Sequence, residues 1–315
     1  MKQKTIVGGL VIVVVLAAIV LAPDGVNSVG WRAGLISRII TGDLPGVSLG
    51  EFLREVRPSG GRLLVRRKTG ELHRDINFLM KRNDGSPCAY LWQTPLGAFW
   101  GRADDRPILG HLVHQQLKVK IYNSHEVAVN AGDVVLDVGS HLGIFTKVAL
   151  DAGASKVVAI EPEPLNNRCF KQTFEQAIKD GRVILVEAAA WHSKEKLQFK
   201  VEAESDASAL DEKGELTVQA LPIDDIVDEL KLDRVDFLKF DIEGAERHAL
   251  DGARKTLARF GPDMVVSVYH LPDDPQVIQK IVAAANPAYN LRESTRRDHG
   301  FYMNYFTIHP QRGPQ

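Results

Sequence analysis

Hydrophobic residues beyond position 133 fall into short continuous runs, separated by longer segments with helical periodicity. Such short apolar runs are typical of strands that are buried on both faces of a parallel sheet. The first predicted strand begins at Val134, and the others are Lys156–Ile160, Arg182–Glu187, Val235–Phe240, Met264–Tyr269 and Tyr302–Ile308. Strands alternating with helices predict an α/β fold with a parallel sheet. The terminal strand is expected to complete this sheet as a mixed one.

Helices are predicted between these strands. They are Phe145–Leu150, Leu165–Ile178, Ile226–Leu230, Ala245–Phe260 and Gln276–Ala285. The segments Lys196–Val201 and Leu216–Leu221 are predicted to form an inserted hairpin. We expect the polar connection between them, Glu202–Gly214, to move as a lid.

A glycine-spaced turn follows the first strand. It carries Gly139, Ser140 and Gly143, and Asp137 precedes it at the carboxyl end of the strand. Because glycine lacks a Cβ, the backbone turns sharply there and comes close to a bound ligand. The Asp137 carboxylate accepts hydrogen bonds from amino or hydroxyl groups but disfavours a dinucleotide pyrophosphate beside it. We therefore expect a nucleotide-type cofactor other than NAD at this loop.

Acidic residues also end the later predicted strands. Glu161 follows the loop by about twenty residues, where α/β folds place an acid on ribose hydroxyls. Glu187 and Asp241 end two further strands, and Ala189 lies in a run of small residues that lets an adenine ring lie flat. Ligands of open parallel sheets bind at the carboxyl edge. The sequence thus predicts a cofactor site at this edge.

Several segments follow one another in the order seen in FkbM-type methyltransferases. They are DVGSHLGIFT, AIEPEPLN, LPIDDI, FLKFDIEGAE and SVYHLPDD. The chain resembles this family from about Glu126 to the C-terminus. The resemblance implies a seven-strand Rossmann-like class I methyltransferase sheet that binds S-adenosylmethionine, with Asp137, Gly139 and Gly143 in the cofactor loop and Glu161 on the ribose. It also implies a small-molecule or glycan acceptor, typically a sugar or polyketide hydroxyl.

Asp241, Glu243 and His270 are the candidates for catalysis, because they lie at or just beyond strand ends expected to meet at the methyl group. A sulfonium methyl is already activated, so the protein chiefly aligns the acceptor, and a hydroxyl also benefits from a base. The structural alternatives are that Glu243 caps the next helix and that His270 hydrogen-bonds within a turn. Asp241 is also an expected cofactor-binding residue. No cluster of metal ligands is apparent, so we predict no metal site.

Two other functional classes share some of these features. An NAD-dependent oxidoreductase has a similar strand, turn and ribose acid, but it requires a third glycine that this turn lacks. A membrane-tethered protein that binds the cofactor without turnover is the other alternative. The acidic sheet edge favours the enzyme.

The chain begins with an uncharged apolar run, Ile6–Ala22, after Lys2 and Lys4. As a helix it would be about 25 Å long, close to a hydrocarbon core of about 30 Å. We predict a single-pass membrane anchor over residues 1–22. The alternative is a signal peptide cleaved after Ala22, but a proline at position 23 fits such a cleavage site poorly. Because S-adenosylmethionine is made in the cytosol, we expect the catalytic domain to be cytoplasmic. An anchor also favours a lipid-linked or envelope-glycan acceptor.

The remaining chain divides into a juxtamembrane and cap region, residues 23–125, and a methyltransferase domain, residues 126–315. The cap is expected to cover the sheet edge with helical and β structure. Its aromatic residues, Trp92, Phe99, Trp100 and Tyr122, either line the acceptor pocket or belong to an ordinary core.

Composition limits the remaining possibilities. A formal net charge of -1 over 315 residues argues against a protein dominated by nucleic-acid phosphate contacts. The two cysteines, Cys88 and Cys169, match neither a metal-ligand motif nor a disulfide framework. We expect both to be reduced thiols.

Overall fold

The computed structural model describes residues 75–122, 127–201, 209–210, 213–298 and 301–310. The predicted anchor Ile6–Ala22 and most of the predicted lid Glu202–Gly214 lie outside these ranges. Within them, no helix has both the length and the apolar character needed to cross a bilayer.

Strands and helices alternate through most of the described chain. The strands are β1 (Asn77–Lys81), β2 (Tyr90–Thr94), β3 (Gly97–Gly101), β4 (Val134–Val138), β5 (Lys156–Ile160), β6 (Val183–Val186), β7 (Ala189–Ala190), β8 (Glu195–Lys200), β9 (Ala209–Leu210), β10 (Leu216–Leu221), β11 (Phe237–Phe240), β12 (Asp263–Ser267), β13 (Tyr289–Asp298) and β14 (Phe301–Pro310). The α-helices are α1 (Arg106–His114), α2 (Ile144–Asp151), α3 (Pro164–Thr173), α4 (Glu175–Lys179), α5 (Ile223–Glu229), α6 (Glu246–Asp251), α7 (Arg254–Phe260) and α8 (Asp274–Ala285). A π-helical segment, Gln115–Val119, extends α1.

A seven-stranded sheet in the order β13-β14-β12-β11-β4-β5-β6 is the centre of the described structure. The five strands from β12 to β6 in this order are parallel. Strand β14 is antiparallel to both β12 and β13. The predicted α/β fold with a seven-strand, mostly parallel sheet is therefore confirmed.

Both faces of the sheet are buried, which explains the continuous apolar runs in the sequence. Val135 and Phe237 belong to a core on one face, together with Phe145 of α2. Leu136 and Leu238 face the opposite side and pack in a second core. The loops at the carboxyl ends of β4, β5 and β11 therefore extend from strands held in place on both faces.

Two predicted helices are interrupted. The segment predicted as one helix, Ala245–Phe260, forms α6 and α7 on either side of Gly252. A Cβ at Gly252 would lie 2.0 Å from the carbonyl oxygen of Trp191, so the break lets two backbone segments approach closely. The predicted helix Leu165–Ile178 is likewise divided at Phe174 into α3 and α4.

The described part of the cap is an antiparallel sheet of β1, β2 and β3, followed by α1. It packs on the rest of the described chain through α3. The backbone N–H of Trp100 donates to Thr173 Oγ1 over 2.9 Å, and the rings of Phe99 and Phe174 lie 6.3 Å apart. Trp92, Phe99 and Trp100 are buried, which agrees with a core role.

Cys88 and Cys169 form a disulfide, so the prediction of two reduced thiols is wrong. The bond joins residues separated by 81 positions and ties the cap to α3. Sequence spacing gave no sign of the pairing because the fold alone brings the two Cα atoms within 5.2 Å. Disulfides persist mainly in oxidising compartments. The bond therefore argues against the cytoplasmic placement expected above.

Replacing both cysteines, Cys88→Ser with Cys169→Ser, is expected to lower the free energy of unfolding by about 2–4 kcal/mol, because a long loop is no longer closed in the unfolded chain. Urea denaturation with and without reductant measures the effect, and reductant should leave the double variant unchanged. Two reactive thiols in unreduced, denatured wild-type protein would contradict the disulfide.

Candidate functional site

A cavity of about 200 Å³ opens at the carboxyl edge of β4, β5 and β11. Five of the residues predicted to bind the cofactor line it: Gly139, Ser140, Glu161, Ala189 and Asp241. These residues come from the ends of different strands, so the cavity exists only because the parallel sheet brings those ends together. Glu187, another strand-end acid, instead forms an exposed ion pair with Lys171.

Two predicted cofactor residues, Asp137 and Gly143, support the loop from beneath and do not line this cavity. Asp137 is fully buried, accepts a 2.7 Å hydrogen bond from Thr146 Oγ1 and lies 3.3 Å from Lys239 Nζ. A Cβ at Gly143 would lie 2.3 Å from the Phe174 ring. Asp137 is thus tied into the sheet by polar contacts, and Gly143 is required by the close packing of Phe174.

Lys239 is a buried cation that the sequence analysis missed. Besides pairing with Asp137, its Nζ donates to the carbonyl oxygen of Gly139 over 2.5 Å and to that of Val138 over 3.3 Å. The sequence does contain a signal for it, because a lysine stands between apolar residues in the FLKF run of β11. A lysine in a buried strand is rare without a charged partner, so this pattern indicates a buried ion pair. The cation fixes the start of the glycine turn.

Gly139 occupies a position that a side chain would disrupt. Its φ of +81° lies in the left-handed region, and a Cβ would lie 2.1 Å from the carbonyl oxygen of Asp241. The glycine therefore lets the loop after β4 lie directly against the residue that follows β11. This contact joins the predicted cofactor side of the cavity to the predicted catalytic side.

Glu161 is held by N–H donors at the cavity wall. Its Oε2 accepts from the backbone N–H of His141 and its Oε1 from that of Glu163, both over 2.9 Å. Burial raises the pKa of Glu161, while these hydrogen bonds oppose the rise. Within the described chain, Ser140 Oγ and Asn166 Oδ1 beside it make no hydrogen bond. The wall thus offers polar groups that suit a ligand with hydroxyl and amino groups.

The three predicted catalytic residues lie together. The Nε2 atom of His270 is 3.6 Å from Asp241 Oδ1 and 3.4 Å from Glu243 Oε2. Asp241 and Glu243 line the cavity, and His270 lies behind them with 8% of its side chain exposed. The sequence analysis found no cluster of possible metal ligands, whereas the structure groups these three side chains so that their donor atoms could hold an ion.

Neighbouring groups shape the electrostatics of this cluster. Burial alone would lower the pKa of His270, but the carboxylates of Glu246 and Glu243 raise it well above its usual value. Burial raises the pKa of Glu243. The Tyr122 hydroxyl donates to Asp241 Oδ2 and the Tyr269 hydroxyl donates to Asp241 Oδ1 over 3.2 Å. The cluster is therefore held in place by partners outside it.

Residues from α1 and the π-helical segment also line the cavity, and the sequence analysis did not identify them. His111 and Gln115 contact each other over 2.8 Å, and Gln116 follows them in the π-helical segment. All three line the cavity, as does Tyr122, which the sequence analysis named as a candidate for the acceptor pocket. Amide and imidazole groups of this kind bind hydroxyl-rich ligands well. No motif marks them in the sequence, because the irregular helix positions them.

A family model described as Methyltransferase FkbM domain matches residues 137–307. No curated protein matches the chain. The chain is similar to the methyltransferase FkbM structure from Methylobacillus flagellatus KT, with 18% identity and a TM-score of 0.46, covering 78% of this chain and 60% of that one. It is also similar to an O-methyltransferase from Bacillus cereus in complex with SAH, with 12% identity and a TM-score of 0.39, covering 93% and 94% of the two chains.

Lys239→Met is expected to lower the free energy of unfolding by about 3–5 kcal/mol, because Asp137 is left as a buried charge without its cation. Adding Asp137→Asn removes that charge, so we expect the double variant to be more stable than Lys239→Met alone. Urea denaturation of the three proteins measures both effects. A Lys239→Met variant as stable as the wild type would contradict the supporting role of the pair.

Proposed function

Because the chain belongs to the FkbM methyltransferase family, we propose that it transfers a methyl group from S-adenosylmethionine to a hydroxyl of a small-molecule or glycan acceptor. The observation that carries the proposal is that one cavity is lined by Gly139 and Glu161 on one side and by Asp241 and Glu243 of the acidic cluster on the other. A cofactor and an acceptor would meet between these two groups.

The cofactor half consists of Gly139, Ser140, Glu161 and Ala189. Glu161 would accept hydrogen bonds from the ribose hydroxyls, since its carboxylate is already fixed by backbone N–H groups. Ala189 would leave room for the adenine ring. S-adenosylmethionine supplies a methyl group on a positively charged sulfur, so the protein needs only to bind, align and exclude water.

The acceptor half is polar and lies beside the acidic cluster. Gln115, Gln116 and His111 would hold hydroxyl groups of the acceptor. As the acceptor oxygen forms its bond to the methyl carbon, the bond from that carbon to sulfur breaks and the hydroxyl loses its proton. The acidic cluster would accept this proton, and Glu243 is its most exposed carboxylate, at 33%. The products are a methyl ether and S-adenosylhomocysteine.

The test is transfer of label from S-adenosyl-[methyl-³H]methionine to a panel of glycosides and extracted glycolipids. We expect a labelled product that survives mild alkali, as an ether does and a methyl ester does not. Glu161→Gln should raise the KM for the cofactor about 10–100-fold, because hydrogen bonds to a charged acceptor are lost. The matched exposed variant, Glu187→Gln, should leave it unchanged.

Three results would contradict the proposal. An alkali-labile product would assign the methyl group to a carboxylate. Binding of S-adenosylhomocysteine without transfer to any acceptor would favour a cofactor-binding protein without turnover. An unchanged cofactor KM in Glu161→Gln would remove Glu161 from the ribose site.

A further inference from the structure

The loops after two neighbouring parallel strands bring a nitrogen and two oxygens together. Asp241 follows β11 directly, Glu243 lies in the same loop, and His270 follows β12. Because β11 and β12 pair in parallel register, both loops leave the same edge of the sheet. One atom from each side chain lies within 4.8 Å of the others.

These contacts do not match ordinary hydrogen bonds. The two distances from His270 Nε2, 3.4 Å to Glu243 and 3.6 Å to Asp241, exceed the usual N–H···O range of about 2.7–3.2 Å. Nε2 makes no aligned hydrogen bond among the described residues, although the side chain is more than nine-tenths buried. A buried imidazole nitrogen thus lies near two carboxylates without a well-aligned hydrogen bond to either.

The two separations from His270 Nε2 match the edges of a metal coordination shell. Ligand atoms about 2.1 Å from one ion stand about 3.0 Å apart at right angles and about 3.4 Å apart at the tetrahedral angle. The observed 3.4 Å and 3.6 Å lie close to these values. Because a ligating imidazole is neutral, the ion would displace any proton from Nε2 and would itself offset the repulsion between the two carboxylates. Small side-chain movements would complete the coordination.

The groups around the cluster are arranged like those that hold metal ligands in position through hydrogen bonds. His270 Nδ1 lies at an ion-pair distance of 2.9 Å from Oε1 of the fully buried Glu246, although Nδ1, like Nε2, makes no aligned hydrogen bond. Glu246 also accepts from the backbone N–H groups of Ile242 and Gly244 over 2.8 Å and 3.0 Å, which fixes the loop that carries Glu243. A carboxylate behind the distal nitrogen orients a ligating histidine and leaves Nε2 for the metal.

We propose that Asp241 Oδ1, Glu243 Oε2 and His270 Nε2 bind one divalent cation. The donor set of one imidazole and two carboxylates suits ions such as Mn²⁺ or Zn²⁺. The carboxylates line the cavity, so the open coordination positions face it.

If the function proposed above is correct, these open positions bind two neighbouring oxygens of the acceptor. The substrate class is then a vicinal diol. Glu243 Oε1 remains uncoordinated and accepts the proton.

The experiment titrates Mn²⁺ into the full-length protein and follows the loss of the free-ion signal by electron paramagnetic resonance. We expect one bound equivalent and at least a tenfold weaker affinity in both Glu243→Gln and His270→Gln. The bound ion should show hyperfine coupling to a ¹⁴N nucleus that disappears in His270→Gln. The matched control is His309→Gln, whose imidazole contacts Asp263 at the far end of β12 and should leave binding unchanged.

The outcomes separate this inference from the proposed function. No bound Mn²⁺, or equal affinity in wild type and Glu243→Gln, would overturn the cation site. Calorimetric titration with S-adenosylhomocysteine tests the cofactor site on the same samples. Cofactor binding without Mn²⁺ binding would refute only the cation site, whereas Mn²⁺ binding without cofactor binding would refute only the methyltransferase proposal.

Discussion

The buried pair of Asp137 and Lys239 is the interaction on which the rest of the site depends. The two side chains stand on adjacent central strands and are 0% and 5% exposed. Burying two charges costs free energy, which their mutual attraction and additional hydrogen bonds must offset. Thr146 supplies one such bond to Asp137, and the carbonyl of Gly139 accepts another from Lys239. The position of the glycine turn is therefore set from inside the sheet.

The same lysine connects the two halves of the cavity. Its Nζ lies 5.3 Å from the centre of the Tyr122 ring, and the hydroxyl of that tyrosine donates to Asp241. On the other side, Gly139 lies against the backbone of Asp241 because it lacks a Cβ. Direct contacts thus join the glycine turn to the acidic cluster. A site that aligns two reactants benefits from this rigidity.

Much of the fold was predictable because buried parallel strands need continuous apolar runs, as in β4, β5 and β11. Strand β13 was missed since its sequence, YNLRESTRRD, is largely polar and it forms along the full length of β14. The disulfide and the break at Gly252 depend on approaches between distant segments. The local pattern of apolar and polar residues does not indicate which distant segments come into contact.

The location of the site was predictable from strand-end acids, but the role of each acid was not. Asp137 lies within β4, so the alternation of side chains directs it into one of the two packed faces, toward Thr146. Glu161 follows the last residue of β5 and lies at the cavity wall. The cluster of Asp241, Glu243 and His270 depends on a loop in which Glu243 has a φ of +55°. Sequence spacing does not reveal that conformation.

The most direct test of the account is hydrogen exchange of the backbone amides with and without S-adenosylhomocysteine. If the cofactor binds between the glycine loop and Glu161, exchange should slow in residues 139–144, 161–166 and 189–191, and strands β1 and β2 of the cap, which do not line the cavity, should change little. Binding that leaves these segments unchanged, or that protects a different part of the chain, would contradict the assignment of this cavity to the cofactor.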